Sequence, residues 1–295
     1  MDAKNAFNQK ERTTGGDDIN SQYREIFSRN LGVFTEAEQN ILKNCTIAVA
    51  GMGGIGGLLA ERLIRLGVGN IKITDLGSYE HGNLNRQYGS SMLTLDRDKA
   101  EIVFQEISKI NPEANITYDN NGITSEEDAN QFVDGCDLII DEMDYGAWKE
   151  SICLQRAARK RGIYYLFAGA IGFGALLTNF DPDGITLEEY NNIAPDEDIK
   201  KLEGLSVPTE RILPIVPSYA TNAMTMEMLH EIIGGKRPVP TCSVGVGLAA
   251  ILAAGEAVNI LLRRRKIVMA PEYIYIDLLD QKFVTGSVSQ PEQKM

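Results

Sequence analysis

From Thr46 onward the chain alternates short apolar runs with helical spacing. TIAVA is followed by a Gly-rich turn and an amphipathic stretch to Leu66, then IKITD, a loop, and a helical pattern through Ile110. A strand near residues 116–118, the run DLIID at 137–141, a helix through Arg161 and the strand YYLFA at 164–168 continue the rhythm. Apolar strands separated by amphipathic helices predict a Rossmann-like, mostly parallel sheet with flanking helices. After Gly169 the pattern changes. GFGALLTNF at 172–180 reads as a further strand, and an acidic, proline-punctuated stretch, 181–217, follows as a long crossover loop. Helical patterns over 218–233 and 244–264 precede EYIYIDL and KFVTGSV, which predict a closing antiparallel hairpin. The polar stretch 1–22 and the tail 289–295 lack apolar periodicity and are expected to be mobile, leaving one domain over 23–288.

Composition narrows the function classes. A hydrophobic fraction of 43% over 295 residues supplies a full core, and a formal net charge of −12 disfavours DNA or an anionic membrane as partner. The basic run 263–266 reads as the solvated end of a helix, where cations complement the dipole. The apolar segment 244–262 is interrupted by Glu256 and Asn259, so it reads as a buried helix rather than a membrane span. Cys45, Cys136, Cys153 and Cys242 are scattered, which excludes a paired C-x-x-C zinc site and fits a reducing cytoplasm. With only His81 and His230, a multi-histidine metal centre has too few ligands.

Gly51-Met52-Gly53-Gly54-Ile55-Gly56 sits between a strand and a helix. Glycines there let the backbone approach phosphate, and free N–H groups at a helix start favour negative charge. Asp75 follows at the end of the second strand, where a carboxylate accepts hydrogen bonds from ribose hydroxyls. The pattern indicates a nucleotide without saying which, because NAD suits it equally; glycines needed only for helix–strand packing would produce it as well.

The segment Asn83-Leu84-Asn85-Arg86-Gln87, with Lys99 in the next helix and Asp144 after the fourth strand, goes further. With these motifs in this order the chain resembles the ThiF/MoeB/HesA family, relatives of the ubiquitin-activating E1 enzymes, over roughly residues 24–180. The resemblance implies ATP-dependent adenylation of a carboxylate. It implies that Arg86 and Lys99 grip the phosphates, Asp75 the ribose, and Asn83 and Gln87 support the phosphate site. Asp144 would bind Mg²⁺, with Asp141 the first aspartate of the family's D-x-x-D. Arg29 matches an arginine that reaches the ATP of a partner subunit, which implies a homodimer, as does the small-residue helix GVGLAAILAAG. Taken singly, each charged side chain would read as ordinary surface.

The chain departs from the family in four ways. It lacks the two C-x-x-C pairs, so zinc is not expected; it has no cysteine within 181–217, which argues against transfer to an enzyme thiol on that loop. Gly77 stands where relatives often carry a second aspartate, and Tyr145 where many carry asparagine. These absences favour peptide or small-molecule modification over activation of a ubiquitin-like or sulfur-carrier protein. The competing classes are an NAD-dependent oxidoreductase, which leaves Arg86, Lys99 and Asp144 unexplained, and a catalytically silent scaffold.

Overall fold

In the computed structural model, the structure describes residues 21–144, 146–202, 214–215, 217–233, 237 and 240–288. The expected mobile tails and part of the crossover loop lie outside these residues, apart from the first turn of helix α1 (Ser21–Ile26).

Helix α2 (Glu36–Asn44) begins where the sequence offers a reciprocal cap: the Thr35 side chain accepts from the Glu38 amide, and the Glu38 carboxylate accepts from the Thr35 amide. It leads into strand β1 (Thr46–Ala50), helix α3 (Gly54–Leu66) and strand β2 (Asn70–Thr74). Helix α4 (Lys99–Ser108), strand β3 (Asn115–Asp119), helix α5 (Glu126–Phe132), strand β4 (Leu138–Asp141), helix α6 (Trp148–Lys160) and strand β5 (Tyr164–Ile171) continue the alternation. Strand β6 (Gly174–Phe180) turns back on β5. Short helices α7 (Leu187–Tyr190), α8 (Ala220–Ala223) and α9 (Met226–Ile233) precede the long helix α10 (Ser243–Leu262) and the hairpin of β7 (Glu272–Asp277) and β8 (Lys282–Ser287).

One sheet results, in the order β3-β2-β1-β4-β5-β6-β7-β8. Its first five strands are parallel and the last three antiparallel. The expected mostly parallel sheet and closing hairpin are both present. The expected single helix over 218–233 is instead two, because Met224 adopts an extended backbone between α8 and α9.

Alternation along the strands sorts side chains onto two faces. Ile47, Val49, Ile140 and Leu166 join the cluster under α3, α4 and α10, while Ala48, Ile139 and Tyr165 face α5, α6 and α7. By length and composition α10 is apolar enough to cross a membrane, yet eleven of its residues are buried, among them Glu256 and Asn259, and it packs on α3, β5 and β6. It is the buried helix that the sequence predicts. Full burial of a side chain such as Ile260 contributes about 1.5–3 kcal/mol.

Strand order reverses between β1 and β4, because the chain builds outward from β1 through β2 and β3 and then resumes on the other side. Crevices outside the carboxyl ends of strands at such a switch are where open α/β sheets bind ligands.

Candidate active site

The Gly-rich turn lies at this switch point. Gly51 has φ +91°, and a Cβ there would stand 2.2 Å from the Glu142 carbonyl oxygen; a Cβ on Gly56 would stand 1.8 Å from the Gly51 carbonyl oxygen. Both glycines are required for the turn to close. Gly53 and Gly54 differ in kind, since their nearest neighbours are side chains: Gln87 Nε2 at 3.9 Å from Gly53, and Val246 at 3.2 Å and Arg86 Cδ at 3.7 Å from Gly54. Gly53 caps α3 with no side-chain hydrogen bond, so the first amides of the helix stay available to an anion.

Asp75 closes the floor of the turn. Its carboxylate accepts from the Met52 amide (2.6 Å) and the Gly77 amide (2.7 Å), and burial raises its pKa above the usual carboxylate value. Lys99 begins α4, donating its amide to the Gly77 carbonyl (3.0 Å), and its ammonium lies 3.3 Å from the position a Gly77 Cβ would take. Lys99 and Asp144 both stand close enough to Asp75 to perturb its charge. With glycine at 77, Asp75 is the carboxylate that faces Lys99 at this turn.

The segment 83–87 forms the opposite wall. Asn83 Oδ1 accepts from the Glu80 amide (2.9 Å), which fixes the turn. Arg86 lays its stem over Gly54 and donates to the Gly82 carbonyl (2.8 Å) and Asn85 Oδ1 (2.9 Å), partners that an incoming phosphate can replace. Gln87 Oε1 is buried with no hydrogen-bond partner, an unmet acceptor beside the glycine turn.

The two aspartates after β4 divide sharply. Asp141 is buried, accepting from the Tyr165 hydroxyl and the Met143 amide (2.9 Å), with burial raising its pKa; it ties β4 to β5 and is not presented to a ligand. Asp144 is exposed at the mouth of the crevice. Among the described residues no cluster of three metal-ligating side chains occurs. A lone carboxylate suits Mg²⁺ held mainly by phosphates and water.

Arg29 stands apart. The neighbouring Asn30 donates to Gln39 Oε1 and to the Leu66 carbonyl at the last turn of α3. The thirteen residues of α3 put Arg29 about 20 Å from the glycine turn of its own chain. The structure thus gathers Gly51, Gly53, Gly54, Gly56, Asp75, Asn83, Arg86, Gln87, Lys99 and Asp144 around one crevice and leaves Arg29 exposed at the far end.

Two sets of contacts in the site had no signal in the sequence. Glu142 follows β4 directly: its amide donates to the Ala50 carbonyl (2.7 Å), its backbone packs beneath Gly51, and its carboxyl accepts from the Ala168 amide (3.2 Å), with burial raising its pKa well above normal. Asn85 donates to the Thr241 carbonyl (3.2 Å), 156 positions away, a contact no local pattern encodes.

The glycine turn at the parallel-sheet switch point, faced by Arg86, Lys99 and Asp144, sits on an E1-like fold. The chain belongs to the ThiF family, whose sequence profile matches residues 27–295. It is 37% identical over 138 residues to the tRNA threonylcarbamoyladenosine dehydratase of Bacillus subtilis (strain 168), covering 46% of this chain and 53% of the relative. It is 29% identical over 136 residues to the sulfur carrier protein ThiS adenylyltransferase of the same organism, covering 45% of this chain and 40% of the relative. These alignments span about half of the relatives' lengths or less. The fold matches E. coli MccB solved with ATP at a TM-score of 0.67 and 18% identity, over 93% of this chain and 73% of that one.

Proposed function

We propose that this protein is an ATP- and Mg²⁺-dependent adenylating enzyme that joins AMP to a substrate carboxylate and releases pyrophosphate. The observation that carries this reading is the convergence of Arg86, Lys99 and the uncapped start of α3 on one glycine turn. Two relationships support it: a family relative is a carrier-protein adenylyltransferase, and the matching MccB structure holds ATP.

The substrate oxygen attacks the α-phosphorus, the bond to the β-phosphate breaks, and no protein nucleophile takes part. Catalysis then rests on position and charge. Amides at the start of α3 and the Arg86 guanidinium hold the phosphates, Lys99 meets charge developing on them, and Asp75 keeps the turn closed from below while presenting its oxygens to the ribose. Asn83 and Gln87 keep the Arg86 segment in place, the orphaned Gln87 oxygen gaining a partner when nucleotide or water enters. Mg²⁺ bound at Asp144 would neutralise phosphate charge and favour departure of pyrophosphate.

Arg29 serves the site of a second copy in this reading, because its own lies at the other end of α3. The outward face of α10 supports a homodimer: Val244 and Ile251 are exposed, and Gly247 and Gly255 have nothing near them. The acceptor we favour is a peptide or small molecule, since neither a C-x-x-C pair nor a cysteine within 181–217 is available. A carrier-protein terminus is the alternative acceptor, and the scattered thiols fit a cytoplasmic setting.

The test is ATP–pyrophosphate exchange with purified protein, Mg²⁺, radiolabelled pyrophosphate and candidate carboxylates, with Arg86→Ala as control. Acceptor-dependent exchange that the substitution removes supports adenylation; tight NAD binding with no exchange overturns it.

A further inference from the structure

At the end of the crossover segment, Tyr219 makes contacts that the adenylation reading leaves unused. Its hydroxyl accepts from the Phe173 amide (2.6 Å) and donates to Asp277 Oδ2 (2.8 Å), and its ring meets Phe173 edge-on at 5.7 Å. Asp277 is buried at the end of β7 and is itself held by the Tyr275 hydroxyl (2.8 Å) and by the Leu279 and Asp280 amides. Burial and the Asp277 carboxylate push the Tyr219 pKa up to about 12, so the phenol remains a donor. The turn between β5 and β6 is shaped around this hydroxyl. Gly172 has φ +59°, and a Cβ there would lie 2.5 Å from the Tyr219 oxygen.

From that turn a short chain of contacts leads to the phosphate wall. Gly172 bridges to Thr241, and its carbonyl accepts from Cys242 Sγ (3.2 Å). The Thr241 carbonyl accepts from Asn85, which also accepts from Arg86. Val246, one turn into α10, rests on Gly54.

We infer that Tyr219 is a positioning residue: through the Gly172 turn and Thr241 it fixes Asn85, and so holds Arg86 over the glycine turn. This inference rests on the adenylation reading for the role of Arg86. Tyr219 touches no reacting atom; it sets where the guanidinium waits. The same contacts join the residues that follow the crossover segment to the wall that carries Arg86.

The test is a double-substitution cycle read by MgATP calorimetry on the full chain. Tyr219→Phe, which removes one oxygen, and Asn85→Ala are each expected to weaken MgATP about fivefold to tenfold, the size of one lost hydrogen-bonded link. If both act through the same chain, the double variant binds no worse than the weaker single one; factors that multiply would overturn the inference. Unchanged affinity in Tyr219→Phe with an intact fold would overturn it as well. Asp277→Asn provides a second route to the same effect should Tyr219→Phe fail to fold. Amide exchange without nucleotide separates this inference from the adenylation reading: faster exchange at 85–87 and 172–174 in Tyr219→Phe supports the link even where MgATP does not bind. Unchanged exchange there sinks it.

Discussion

At its N-terminal end helix α3 meets the crevice with glycines, no side-chain cap and free amides; at its C-terminal end nearly every polar group is spoken for. There Gly67 takes the left-handed conformation and donates back to Ile64, and the Leu66 carbonyl accepts from Gln39 (2.9 Å) and Asn30 (3.3 Å). The Gly67 carbonyl accepts from the buried Tyr23 hydroxyl (2.6 Å), which in turn accepts from Gln39 Nε2 (3.0 Å). Both ends of any helix carry four unpaired backbone groups. Here one set is closed by the protein and the other is open at the crevice, so a missing partner, rather than glycine content, marks the end we propose for nucleotide. Gly67 and Gly69 tolerate as little as Gly56 does, yet they serve only the fold.

Substitutions at the two ends should separate cleanly. The largest effect belongs to Gly56→Ala, whose methyl group would strike the Gly51 carbonyl oxygen at 1.8 Å. It should cost about 3 kcal/mol of stability by denaturant titration and remove nucleotide binding. Gly53→Ala sharpens the contrast, because its Cβ meets only Gln87 at 3.9 Å: stability should hold while MgATP affinity falls. An equal loss of stability at both positions would break the distinction between turn closure and ligand approach.

Arg86→Ala should come next, lowering exchange about 10²–10³-fold with little change in melting temperature. At the closed end Gln39→Ala should destabilise by about 1–3 kcal/mol, since it removes a donor to the Leu66 carbonyl, a donor to the Tyr23 hydroxyl and an acceptor for Asn30, and leave MgATP affinity as it was. A drop in affinity there would show that the two ends are coupled. The smallest effect is in pH. Burial raises Tyr23 from 10.0 to about 12, so its neutral form is favoured in the folded state. Its contribution is intact below pH 10 and fades as pH rises toward about 12; Tyr23→Phe should flatten that part of the stability profile.

Features governed by local chemistry were legible in the sequence: strand alternation, the glycine turn, and the order of Asp75, Arg86 and Lys99. Those governed by distant contacts were not. Asp141 and Asp144 look alike three positions apart, and only the Tyr165 hydroxyl on the next strand decides that one is structural. Nothing near Glu142 announces that its carboxyl takes the Ala168 amide just past the last β4–β5 pair. The interruption at Met224 was missed because the apolar spacing on either side of it suits one continuous helix. How far Arg29 lies from the glycine turn depends on how Asn30 docks at the end of α3, which no local pattern encodes.

Helix α10 also sets an order on synthesis. The glycine turn, β1 to β6 and α3 all precede residue 243, while the helix that covers α3, β5 and β6 follows it. A nascent chain that has reached the crossover segment therefore holds the glycine turn without the Val246 contact on Gly54 and with an uncovered apolar face. Chains truncated before Ser243 should collect in the insoluble fraction or on chaperones, and release of a native fold should await emergence of Leu262 from the ribosome.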